Sequence, residues 1–188
     1  MGPMGAGDLS AALWQERRQL ELLLFRLETQ RLHILAGNLQ WLSFTASEVE
    51  GVLDRLRFEA LARSVESAAV AAEWGLPAQA TLNELVAGAP PGAWAEVLQD
   101  HLDGLRELLR QLDDAARTSD DTLRNLNRPV ESGASAGQRN GDATATLPAD
   151  TTGVLDQLTT AGNIERALAV VHRTAQPLLE QYLGGNRE

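Results

Sequence analysis

The sequence predicts an all-α fold. The expected architecture is a long antiparallel helical hairpin or three-helix bundle with coiled-coil-like packing, plus a tethered C-terminal amphipathic helix. Three observations predict it. Apolar residues recur at heptad spacing over two long stretches, and no stretch alternates with the period of a strand. Aromatic residues make up only 4% of a chain that is 44% hydrophobic, so aliphatic side chains must build the core.

The first stretch runs from Leu9 to Arg57. Leu13, Leu20, Leu27, Ile34 and Trp41 recur at every seventh position, and Leu23, Leu24 and Phe44 widen the stripe. From Leu35 the row moves one position later, to Leu35, Leu42, Val49 and Leu56, with Gly37-Asn38 at the change. A straight helix drifts against a strict heptad and could carry this shift unbroken. Gly37-Asn38, both poor helix formers, could instead break it. Strong helix formers on both sides and the absence of proline favour one continuous helix with a weak point. Whether it extends past Arg57 into the alanine-rich face of Ala60, Ala68, Ala69 and Ala72 stays open. Gly75-Leu76-Pro77 ends it. Residues 1–8 are Gly-rich and read as a disordered N-terminus, with Asp8 or Ser10 as a helix cap.

Thr81-Leu82-Asn83-Glu84 has the capping-box pattern and starts a short helix. After the turn at 88–92 a second long helix runs to about Arg128. Its seam is Trp94, Leu98, His101, Leu105, Leu108, Leu112, Ala115, Ser119, Thr122 and Leu126, and Pro129 stops it. Ser119 and Thr122 thin the seam, so this end is expected to be loosely held. Leu123 and Leu126 there are candidate partner-binding residues. Residues 9–128 thus form the helical bundle domain. Residues 129–153, rich in Gly, Ser, Ala and Thr, read as a flexible linker. Residues 154–188 form an amphipathic segment whose row is Ile164, Leu168, Val171, Ala175, Leu178 and Tyr182, with a kink expected at Pro177.

The segments LWQERRQLELLLFRLE, LAGNLQWL and SEVEGVLDRLR in the first stretch resemble the opening helix of the flagellar export chaperone FlgN family, in its high-GC Gram-positive form. The resemblance is good from about Leu9 to Leu76, fair to about Arg128 and absent beyond. It implies a non-enzymatic cytoplasmic chaperone. Its clients would be hook-associated proteins of the flagellar hook–filament junction, whose terminal amphipathic helices it masks. It would deliver them to the flagellar type III export gate. The family brings no catalytic residues. The 129–153 linker and its tail depart from the family pattern, which leaves the place of the client groove open.

Composition narrows the function classes independently. With 26 acidic against 16 basic residues the formal net charge is −10, which disfavours a nucleic-acid surface and repels anionic membranes. No run approaches a membrane span, and the first residues lack the features of a signal peptide. Cysteine is absent, and every basic residue other than histidine is arginine. Thiolate chemistry, lysine Schiff bases and a P-loop lysine are therefore excluded. His33, His101 and His172 lie in separate elements without metal-site spacing, so no metal or cofactor is expected. The acidic pairs Glu48/Glu50 and Asp113/Asp114 read as solvated helix faces. Glu59 and Arg63 read as an i,i+4 surface pair. Trp41 and Trp94 lie on seams and read as core. Trp74 reads as packing over the bundle cap, and Trp14, off the Leu13 row, as an exposed contact residue. The partner-binding candidates are therefore Trp14, Leu123, Leu126, Ile164, Leu168, Val171, Leu178 and Tyr182. The alternative is a coiled-coil scaffold without an export client, and a homodimer fits either reading.

Overall fold

Gly37 decides the topology. In the computed structural model, which describes residues 4–136, 151–173 and 177–184, helix α1 (Met4–Leu35) stops at this glycine, whose φ is +75°. The Gly37 N–H bonds to the Ile34 carbonyl at 3.0 Å and the Asn38 N–H to the His33 carbonyl at 2.9 Å. That pair of bonds is the Schellman motif, which satisfies carbonyls the helix end leaves free. A 3₁₀ turn, Leu39–Trp41, leads into α2 (Leu42–Glu73). The expected continuous helix through Gly37-Asn38 is therefore corrected. The local preference of the flanking helix formers yields to a reversal that buries both apolar rows on each other. Past Arg57, α2 continues without a break, and a second Schellman turn at Gly75 ends it where the sequence placed the stop.

Cross-helix pairs fix the register. Arg26 meets Glu48 at 2.8 Å, Gln30 meets Thr45 at 3.3 Å, and Glu16 meets Arg63 at 2.9 Å, so α1 and α2 run antiparallel. Between them lie Leu9, Leu13, Leu20, Leu23 and Leu27, all fully buried, each contributing roughly 2 kcal/mol by removal from water. The helix also begins earlier than the sequence suggested. Residues 4–8, expected to be disordered, belong to α1 and Ala6 is fully buried, while residues 1–3 lie outside the described residues. Tertiary packing outweighs glycine's poor helix propensity there, since Gly5 sits against Val70 and Glu73.

Helix α3 (Leu82–Gly88) carries the capping box in full. Thr81 Oγ1 accepts the Glu84 N–H at 3.2 Å, and the Glu84 carboxylate accepts the Thr81 N–H at 2.7 Å. Helix α4 (Trp94–Ala136) lies along α1 in the parallel sense, with Gly7 beside Trp94, Ser10 on His101 at 2.9 Å and the Arg17 guanidinium over Gly104. Gly104 leaves the space that the Arg17 guanidinium occupies, and a Cβ there would push that side chain aside. The α4 seam is buried from Leu98 through Ala115 and includes Ser119. The backbone helix passes Pro129, correcting the expected stop. Proline removes one ladder bond and can kink a helix without ending it. The expected 129–153 linker is thereby reduced, since 129–136 belong to α4 and 151–153 to the next helix, while 137–150 lie outside the described residues.

Helix α5 (Thr151–His172) closes the bundle against α4 and α2. It buries Ile164, Ala167, Val170 and Val171. Arg166 and Arg173 both reach Glu50 on α2, at 2.6 and 2.8 Å, and His172 reaches Asp120 on α4 at 2.9 Å. Helix α6 (Pro177–Leu183) begins on the proline, at the first helical position, where a missing N–H costs nothing. The all-α bundle predicted from the heptads is thus present. The amphipathic C-terminal helix lies on it as a fourth long helix, in a ring α1–α2–α5–α4.

Candidate partner-binding groove

Helix α2 changes character along its length. Its first half buries Leu42, Val49, Leu53 and Leu56. The same buried face continues through Arg63, Ser67, Val70 and Ala71, so a guanidinium and a hydroxyl occupy core positions. The large apolar side chains of this half point elsewhere. Phe58 is 76% exposed, Leu61 65% and Val65 61%, at the three–four spacing of one helix stripe. The hairpin register dictates the inward face, so apolar residues off that face remain outside.

Arg63 is held from two sides. Its Nη1 donates to both oxygens of Glu16 on α1 at 2.9 Å, and the Tyr182 ring from α6 covers the guanidinium at 4.1 Å. The Tyr182 hydroxyl shares a 2.6 Å hydrogen bond with Ser67. Burial pushes the Glu16 carboxyl above its usual range, against the pull of Arg63. Burial likewise pushes the Tyr182 phenol up to about 12, so it stays a neutral donor or acceptor. Among the described residues the buried Nε of Arg63 has no hydrogen-bond partner. The expected surface pair of Arg63 with Glu59 is corrected: Glu59 takes Arg55 at 3.1 Å, and Arg63 turns inward to the one carboxylate buried opposite it on α1.

Beside this pair opens a groove of about 790 Å³ between α2, the 78–81 connection and α6. Leu53, Leu56, Leu61 and Leu179 give it apolar walls. Arg57, Arg63 and Arg173 line it with Glu16, three cations against one carboxylate. Leu61 belongs both to this wall and to the exposed stripe, so the two form one surface. An apolar trough with polar groups along it is the kind of surface an amphipathic helix docks into. No described group of His, Asp and Glu converges as a metal site would require, and no described helix is long and apolar enough to cross a membrane.

Of the partner-binding candidates named from sequence whose side chains are described, Tyr182 lines the groove and the others do not. Ile164, Val171 and Leu123 are buried in the bundle, and Leu126 and Leu168 are partly buried against it. The side chain of Leu178 lies outside the described residues. Trp14 is 48% exposed, its ring edge-on to His101 at 5.2 Å with Arg17 over its face at 5.0 Å. Trp41, read as core, is 48% exposed, because the break at Gly37 carries it off the Leu13 row. It stacks edge-on with exposed Phe44 at 6.4 Å over a second, smaller pocket of about 280 Å³ at the hairpin tip. Trp94 and Trp74 are partly buried. Sequence reasoning missed Phe58, Leu61, Val65 and the Glu16–Arg63 pair. The spacing of the first three was legible. The pair was not, since its members are 47 positions apart.

The family model described as "FlgN protein" matches residues 1–126. The chain belongs to the FlgN family. FlgN-family proteins are flagellar export chaperones that bind flagellar client proteins. No curated protein and no solved structure gives a match. The FlgN match covers Glu16, the exposed stripe and the α2 side of the groove, and ends before the α6 wall.

Proposed function

We propose that this chain is a cytoplasmic chaperone for hook-associated proteins, which holds a client's terminal amphipathic helix and delivers it to the flagellar type III export gate. The observation that carries the reading is the exposed row Phe58–Leu61–Val65 opening into the groove between α2 and α6. An apolar stripe left outside a bundle with a well-filled core marks an interaction surface. Membership of a chaperone family says which kind of partner to expect. In this reading the C-terminal row serves the groove indirectly. Ile164 and Val171 seat α5, and Leu179 and Tyr182 of α6 then form the second wall. A tail absent from the family match would supply half of the site.

The test is titration of purified candidate hook-associated proteins against the full chain and its Leu61→Glu variant. Leu61 is exposed, so the variant folds with an unchanged thermal midpoint, and client binding falls at least about tenfold, one buried leucine's worth. Unchanged affinity for a client that does bind would place the site elsewhere. A scaffold that pairs with itself through this row would instead sediment as a dimer, and Leu61→Glu would make it monomeric.

A further inference from the structure

We propose that the groove selects an acidic amphipathic segment, one carboxylate of which is received by Arg63 and Arg57 while its apolar side chains lie on Leu53, Leu56, Leu61 and Leu179. This rests on the groove being the client site and names the chemistry it reads. Four observations carry it. On a chain of net charge −10, three arginines and one carboxylate line the groove, and the carboxylates that pair Arg57 and Arg173, Asp54 and Glu50, lie outside the lining, so the face a ligand meets is the cationic one. Arg63 is 95% buried and lines the groove, so a carboxylate that reaches its edge there meets a largely desolvated guanidinium. Among the described residues Arg57 pairs with Asp54, at 2.8 Å in an exposed i,i+3 pair, which is weak and readily exchanged for a better carboxylate. Finally, the cations and the leucines line one trough, which suits a helix bearing both kinds of side chain on adjoining faces.

The probes are three synthetic helical peptides with one apolar stripe and Glu, Gln or Lys at the flanking positions. Each is titrated by fluorescence anisotropy against the full chain, at low and at high salt. The expected order is Glu tighter than Gln by about tenfold, one charge-assisted hydrogen bond, with Lys weakest and the Glu advantage shrinking in salt. Arg57→Glu, at an exposed position that leaves the bundle intact, removes most of the Glu preference. Leu61→Glu removes binding of both the Glu and Gln peptides. Equal binding of Glu and Gln peptides, both lost in Leu61→Glu, overturns the selectivity and leaves the groove as client site. Binding indifferent to Leu61→Glu, or no binding by any peptide, overturns both.

Discussion

At the scale of single residues, two buried polar groups set the energetics. Glu16 and Arg63 each gave up water for the other, and the pair's worth lies in its completeness. Glu16→Leu leaves Arg63 charged, buried and without its carboxylate. Urea unfolding of that variant is expected to show a loss of about 3 to 5 kcal/mol. The double variant Glu16→Leu with Arg63→Met recovers most of it, because an apolar pair of similar volume needs no compensation. A single variant as stable as the parent would mean the pair is solvated. His101 is the second group. Burial, then the nearby Arg17, depress its pKa, so the folded protein holds the ring neutral. A depressed folded pKa means stability that is present above the ordinary histidine value and lost as pH falls toward the folded one. Glu16 has the opposite sign: with its folded pKa raised, its contribution declines as pH rises through the carboxylate range. The histidine effect is therefore read as a difference. Between about pH 7.5 and about pH 5.5 the parent should lose more stability than His101→Phe does. Parallel curves would remove His101 from the account.

At the scale of elements, the turn at Gly37 converts one long heptad into a hairpin, and it rests on one backbone angle. Nothing crowds a Cβ at that position, so Gly37→Ala tests conformation alone, and a loss of about 1 kcal/mol in thermal or urea unfolding is expected. No loss would mean that the turn tolerates a left-handed alanine at no cost. Much of the element plan was legible because it is local. The Thr81 capping box, the Gly75 stop and the α4 seam through Ser119 are written in residues three, four and seven apart. The failures share a cause. Whether Gly37 bends or breaks a helix depends on what the two arms bury, and the fates of Trp41, Phe44 and Leu35 follow from that. The start of α1 and the passage through Pro129 likewise depend on neighbours distant in sequence. The groove was the least legible feature, since α2 places its large apolar residues outward only once the hairpin register has claimed the other face. The seat of α5 can also be tested at this scale. Arg166 and Arg173 hold the Glu50 carboxyl below its usual range, so the clamp is present above the ordinary Glu pKa and is lost as pH falls through the depressed one. Glu50→Gln removes it at neutral pH, and limited proteolysis should then cut within 151–184 sooner than in the parent. Unchanged cleavage would mean that apolar packing alone seats α5.

At the scale of the whole molecule, the C-terminal helices bear on both stability and binding, and one truncation separates the two. Helices α5 and α6 bury Ile164, Ala167, Val170, Val171, Leu179 and Leu183, and they cover the faces of α2 and α4 that α1 leaves open. Each large apolar side chain in such a place contributes roughly 1.5 to 3 kcal/mol by leaving water. Ordering the two helices offsets part of that gain. Removing residues 151–188 is therefore expected to lower unfolding stability by several kcal/mol, on the order of two buried side chains, while the α1–α2–α4 bundle stays helical by circular dichroism. Client affinity, measured per folded molecule, should fall as well, since the truncation strips Leu179 and Tyr182 from the groove and leaves the Arg63 guanidinium uncovered. Tyr182→Ala in the full chain keeps α5 seated, and so isolates the wall from the core. It should reproduce the affinity loss with a smaller drop in midpoint than the truncation causes. An affinity loss in the truncation that Tyr182→Ala does not share would assign the effect to bundle integrity. An unchanged midpoint in the truncation would show that α5 and α6 lie on the bundle without stabilising it.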